Sequence, residues 1–118
     1  MQFFSRRDGR ARRIMTQPPE LSQQETVILA ETFRLLGDPT RLRILLHCLS
    51  GARAVGEIAG ALDLSQSLVS HHLRLLRGAR LVRGERRAQQ VFYMLADDHV
   101  STMLADMASH IAEERSPS

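Results

Sequence analysis

Lysine is missing from this chain of 118 residues, so every one of its 16 formally basic side chains is arginine. Cysteine occurs once, as Cys48, which excludes an intramolecular disulfide and any metal site built from several thiolates. No apolar run approaches the roughly 20 residues that a membrane-spanning helix needs. The opening MQFFSRRDGRARRIM holds no apolar stretch of signal-peptide length, so secretion and a membrane partner are not expected and a cytoplasmic location is. There is also no H-E-x-x-H pair of the metallopeptidase kind. The length suits one small domain with a modest core.

Charge placement says more than net charge. Residues 1–15 carry five arginines against Asp8, a net of +4, so with a total of +3 the rest of the chain sits at −1. The basic computed pI therefore owes much to one end, and is not by itself a nucleic-acid signature. Residues 1–21, basic and then polar with Pro18 and Pro19, read as a disordered arm. The arm could touch DNA phosphates, but the preferred reading is that it is unstructured or that translation starts at Met15. The remainder divides into a folded domain over residues 22–114 and a frayed tail over 115–118.

Ser22-Gln23-Gln24-Glu25 has the form of a capping box and predicts a helix to about Leu36. Its apolar residues, among them Val27, Ile28, Phe33 and Leu36, span a wider arc than one core contact needs, so part of it is expected at a subunit interface. Gly37 ends this helix, and Asp38-Pro39 opens the next as N-cap and N1. That second helix is expected to turn Leu42, Leu45, Leu46 and Leu49 inward and to stop at Gly51, with Cys48 as a small buried hydrophobe.

Two short helices follow, near Val55–Leu62 and Gln66–Arg77, joined by Asp63-Leu64-Ser65, which is the layout of a helix-turn-helix. Ser65 is expected as N-cap and Gly78 as the C′ residue. On the second of these helices Leu68, Val69, His72, Leu73, Leu75 and Leu76 fill one arc, and His72 among them reads as structural. Ser67, Ser70, His71, Arg74 and Arg77 fill the other. Small hydroxyls permit close approach, and histidine and arginine reach base edges or phosphates, although alone this could be any solvated face. Leu81-Val82 and Val91–Leu95 then read as two strands around a polar turn, Glu85 to Gln90, tipped by Arg86 and Arg87. The predicted fold is mainly α with a β-hairpin wing (α+β), a winged helix-turn-helix.

The stretch DDHVSTMLADMASHIAE, from Asp97, predicts a capped amphipathic helix with Val100, Met103, Leu104, Met107, Ala108 and Ile111 on its apolar stripe. His99 and His110 point nearly the same way, but eleven residues put roughly 16 Å of rise between them, against metal–nitrogen bonds of about 2 Å. One helix cannot hold an ion with both. Asp97 and Glu113 share a midpoint at Ala105, and His99 and His110 share one between Leu104 and Ala105. Two copies crossing antiparallel there would bring Asp97 and His99 of one to the partner's His110 and Glu113, twice per dimer. A surface helix with scattered polar residues is the bland alternative; four residues about one midpoint favour the shared metal site.

With these residues in view, FRLLGDPTRLRILLHCL, LSQSLVSHHLRLLRGARLV and VFYML resemble the ArsR/SmtB family of bacterial metal-responsive repressors, over residues 21–114. The resemblance implies a homodimer, paired through its N- and C-terminal helices, that represses operator DNA when metal-free and releases it on binding metal. It implies that Gln66, Ser67, Ser70 and His71 read the major groove, and that Asp97, His99, His110 and Glu113 bind Zn(II). It also implies a hydrogen bond from the non-coordinating nitrogen of His110 to the backbone carbonyl at Arg80. Where several family members carry cysteines before the recognition helix, this chain has Arg53-Ala54-Val55-Gly56, so thiolate sensing is not expected. Two imidazoles and two carboxylates suit Zn(II), and Co(II) should also bind. The rivals are a repressor answering Co, Ni or a non-metal signal with a vestigial site, a zinc hydrolase, and a dimeric protein-interaction module. A full four-donor shell argues against the hydrolase, so neither catalysis nor a small-molecule substrate is expected.

Overall fold

The computed structural model describes residues 18–115 and, before them, the backbone of two short strands, β1 (Phe4–Ser5) and β2 (Arg12–Arg13), paired antiparallel. Most of the expected arm over residues 1–21, and the last three residues of the tail, lie outside the described residues. Two compact units divide the chain at residues 30 and 31.

Helix α1 (Gln23–Leu36) starts as expected. The Glu25 N–H donates to Ser22 Oγ at 3.0 Å, and the Ser22 N–H donates to Glu25 Oε1 at 2.9 Å, so two first-turn donors are satisfied reciprocally. Helix α2 (Pro39–His47) is capped by Asp38, whose Oδ2 accepts the Arg41 N–H at 2.9 Å. It stops at His47 rather than running to Gly51. Ile44 and Leu45 face the core, whereas Leu46, expected inward, is 40% exposed. Ile44 rather than Leu46 lies with Leu45 and Cys48 on the inner face, an outcome of packing that periodicity alone left open.

Helices α3 (Val55–Leu62) and α4 (Gln66–Gly78) are joined by the expected three residues. Asp63 takes a left-handed conformation (φ 58°), and the Leu64 N–H reaches back to the Ala59 carbonyl at 2.9 Å. Aspartate tolerates this backbone better than most residues, and the turn delivers Ser65, whose Oγ accepts the Leu68 N–H at 3.1 Å. The end of α4 differs from expectation. Gly78 is still helical, and the left-handed residue is Arg80, with φ 62°. The Leu81 N–H bonds the Leu76 carbonyl and the Arg80 N–H bonds that of Arg77, a Schellman ending with buried Leu81 and Leu76 as its apolar pair.

The wing is longer than read from sequence. Strands β4 (Val82–Arg87) and β5 (Gln90–Leu95) pair antiparallel from Val82–Leu95 out to Arg87–Gln90, leaving only Ala88 and Gln89 in the turn. Arg86 and Arg87 therefore stand on the far end of a strand and not in a loop. Gly84 is needed there: a Cβ would lie 3.0 Å from Val91 Cγ1 and 3.2 Å from Tyr93 Cε1. A strand absent from the sequence reading, β3 (Arg53–Ala54), pairs with β5 and makes the order β3-β5-β4. Two residues show no alternation, so nothing in the sequence announces it. Helix α5 (Asp98–Glu113) closes the chain. The core gathers Ile44, Leu45, Ile58, Val69, Leu73, Leu76 and Val82, with Leu104 from α5 at its edge.

Candidate nucleic-acid interface and metal centre

Helix α4 divides as its sequence suggests, with two exceptions. Val69, His72, Leu73 and Leu76 are buried, while Gln66, Ser67, His71, Arg74 and Arg77 are exposed and Ser70 is half-buried. Leu68 and Leu75, expected inside, lie at the exposed flank. They sit seven residues apart at the margin of the arc, where a small rotation of the helix decides which side they join.

On the wing Arg86 and Arg87 are both exposed. Arg87 is held by Glu85, with Nη2 at 2.9 Å from Oε1, and its guanidinium lies 4.9 Å from the centre of the Phe92 ring. An exposed ion pair of this kind is weak, so a phosphate can compete for Arg87 at little cost.

His72 confirms the structural reading and has a partner that sequence reasoning missed. Arg41 Nε donates to His72 Nδ1 at 3.2 Å, and Arg41 Nη1 donates to the Leu35 carbonyl at 3.3 Å. Burial, and then the Arg41 charge, hold the His72 imidazole below the ordinary histidine range, with Asp38 opposing and His71 adding to the effect. Asp38 itself is held low, chiefly by the Arg41 N–H that it accepts. A buried imidazole on an apolar arc signals that some partner must exist; thirty-one positions of separation hid which one. Cys48 is buried as expected, and burial pushes its thiol up to about 11, so it is no thiolate at neutral pH.

The four candidate metal ligands lie on α5 and its cap. Asp97 is the N-cap, with Oδ1 accepting the Val100 N–H at 3.0 Å, which leaves Oδ2 unused by the cap. Asp97, His99, His110 and Glu113 are all exposed. Among the described residues no three His, Cys, Asp or Glu side chains of this single chain converge as a metal site. Between the two ends of α5 the apolar stripe is only half covered: Leu104 is buried, but Met107 is 53% and Ile111 64% exposed. Leu42 and Leu46 of α2 join Met107, Ala108 and Ile111 in lining an open apolar groove of about 590 Å³. The donors fit a borderline metal in type, and among the described residues neither imidazole takes part in a hydrogen bond.

A helix-turn-helix with an exposed polar face, followed by an arginine-bearing hairpin, defines a winged-helix DNA-binding regulator. The chain belongs to the bacterial regulatory protein arsR family, whose description matches residues 38–83. It is 39% identical over 97 residues to the transcriptional repressor SmtB homolog of a Synechocystis species, covering 82% of this chain and 74% of that one. It is 38% identical to the transcriptional regulator NmtR of Mycobacterium tuberculosis, over 76% of this chain and 75% of that one. Among solved structures, that of apo-NmtR superposes with a TM-score of 0.68 at 34% identity, over 85% of this chain and 84% of that one. A homodimeric winged helix-turn-helix domain from Mycobacterium bovis superposes at 0.73 with 26% identity, over 86% of this chain and 93% of that one. The family consists of transcriptional regulators and not enzymes, and no described helix is long and apolar enough to cross a membrane.

Proposed function

We propose that this chain is a cytoplasmic metal-responsive repressor that binds operator DNA as a homodimer when metal-free and lets go when Zn(II) is held at two inter-subunit sites. The observation that carries the proposal is the design of α5. Its four candidate ligands are exposed and nearly symmetric about the Leu104–Ala105 step, and the apolar stripe between them is only half covered by its own chain. A second copy would supply that cover. The homodimeric relative supports the pairing, and the name of the SmtB homolog supports repression.

In this reading residues 22–114 form the DNA-binding and dimerisation domain. Gln66, Ser67, Ser70 and His71 address base edges, while Arg74, Arg86 and Arg87 hold phosphates, so affinity falls with salt. Asp97 and His99 of one protomer face the partner's His110 and Glu113. With Asp98 and Glu114 beside them, these carboxylates repel across the interface and keep the metal-free dimer loose. The bound ion supplies neutralisation of that charge and a tie between the two helices. His110, when it holds the ion, would have its outer N–H free for the backbone carbonyl of Arg80, the kind of partner that orients a ligating histidine. Arg80 closes α4 in its left-handed turn, so a pull there bears directly on the reading helix. Operator and metal must weaken each other by the same factor, typically about 5- to 150-fold.

Zinc titration of an operator-bound dimer, followed by fluorescence anisotropy, tests this. His99→Ala or His110→Ala should bind operator normally and fail to release it; release at the wild-type zinc concentration sinks the site. Co(II) absorption separates this reading from a repressor with a vestigial site. Intense tetrahedral bands favour the four-donor shell, and a featureless spectrum favours a different signal.

A further inference from the structure

Arg41 occupies a point where three elements meet. Its own N–H is accepted by Asp38 at the start of α2, and its Nη1 donates to the Leu35 carbonyl in the last turn of α1. Its Nε donates to His72 Nδ1 at 3.2 Å, and His72 is the buried polar side chain of α4, 9% exposed. An arginine only donates, so His72 must accept at Nδ1 and carry its proton on Nε2. The acceptor exists only in the neutral ring. His71, the next residue, is exposed on the DNA side of the same helix, its ring centre 5.5 Å from that of His72.

We propose that Arg41 is a positioning residue for DNA recognition: through neutral His72 it sets the rotation of α4, and so the presentation of Ser67, Ser70 and His71, from the α1–α2 junction. The inference rests on α4 being the DNA-reading helix. The apolar residues Val69, Leu73 and Leu76 drive α4 against the core, but apolar contact is non-directional and tolerates small rotations. Leu68 and Leu75, 39% and 36% exposed, lie at the margins of the buried arc and do little to fix the rotation of the helix. A hydrogen bond from a fixed guanidinium to a single ring nitrogen is directional and selects one rotation. Because the same guanidinium grips the Leu35 carbonyl, movement of the end of α1 passes to the reading face without contact between α1 and DNA.

The test compares the full chain with Arg41→Met, His72→Leu and His72→Asn, Asn keeping an acceptor near the place of Nδ1. Each is titrated against a labelled duplex from upstream of its own gene and against a shuffled duplex of equal length. Arg41→Met and His72→Leu should lose about tenfold of the preference for the first duplex. Affinity for the shuffled duplex should stay near wild type, a combination that unfolding cannot produce. His72→Asn should recover much of the loss, and the double variant Arg41→Met/His72→Leu should be no worse than either single one. Nitrogen-15 NMR of the wild type should show His72 with its proton on Nε2. Its titration should lie below the ordinary range set against Arg41, Asp38 and His71, and should move up in Arg41→Met. An Nδ1–H tautomer, an unchanged preference in Arg41→Met, or additive single losses would overturn the assignment. A wild type with no preference between the duplexes sinks the repressor reading and this inference with it; a wild type that prefers its own duplex, with Arg41→Met unaffected, sinks this inference alone.

Discussion

On α4, four residues of the inner arc are buried and a side-chain hydrogen bond ties the helix to α2; on α5, which is longer, Leu104 alone is buried and Met107 and Ile111 stand in solvent. Both are amphipathic and both carry an oxygen N-cap, Ser65 for one and Asp97 for the other. The difference is that the apolar arc of α4 is covered by its own chain, while the apolar stripe of α5 is left partly open. Under the proposed function, DNA-reading geometry would be set within each protomer, and the response to metal would arise only where two protomers meet. Such a division would let one surface be altered by assembly and ligand while the other keeps its shape.

The largest expected break in this comparison comes from truncating one apolar residue on each helix. Leu73→Ala in α4 should cost about 2–5 kcal/mol of stability in urea unfolding, since it opens a cavity in a closed core. Met107→Ala in α5 should leave the protomer's unfolding close to wild type and weaken self-association in sedimentation equilibrium. Equal loss of protomer stability from both would show α5 to be as fully packed as α4.

The caps sharpen the same contrast. Ser65→Ala should lower stability by about 1 kcal/mol by orphaning the Leu68 N–H. Asp97→Ser, which keeps a capping oxygen, should leave thermal stability nearly unchanged but weaken zinc-driven release in anisotropy. If Asp97→Ser releases DNA as the wild type does, Asp97 serves only as a cap.

Acid should act on α4 through His72. Its pKa is depressed in the folded chain, so the unfolded chain binds the proton first. The stability that neutral His72 contributes is present above the unfolded value near 6.5 and is lost as pH falls from there through the lower folded value. Chemical denaturation between pH 7.5 and 5 should show a decline that His72→Asn flattens. The smallest effect belongs to the wing: Glu85→Ala frees Arg87 from an exposed pair and should leave the melting temperature within error. It should raise affinity for the shuffled duplex slightly by removing a negative charge.

Local chemistry made much of this protein legible in one dimension. Ser22, Asp38, Ser65 and Asp97 are caps because each is a short side chain with an oxygen placed to accept the N–H three residues on, a relation that needs no tertiary contact. The Asp63-Leu64-Ser65 turn and the positions of α3 and α4 follow from equally local rules. Spacing likewise groups Asp97, His99, His110 and Glu113 about the middle of α5, and their meeting across a dimer belongs to the proposal. Other features depended on parts of the chain far apart in sequence. The burial of Ile44 with Leu45 while Leu46 is exposed, the strand at Arg53–Ala54, the extension of β4 through Arg87 and the left-handed Arg80 at the end of α4 all answer to neighbours that residue order does not name. Above all, that Arg41 meets His72 was decided only when the start of α2 was laid against α4, because one hydrogen bond depends on where two helices sit and not on what either is made of.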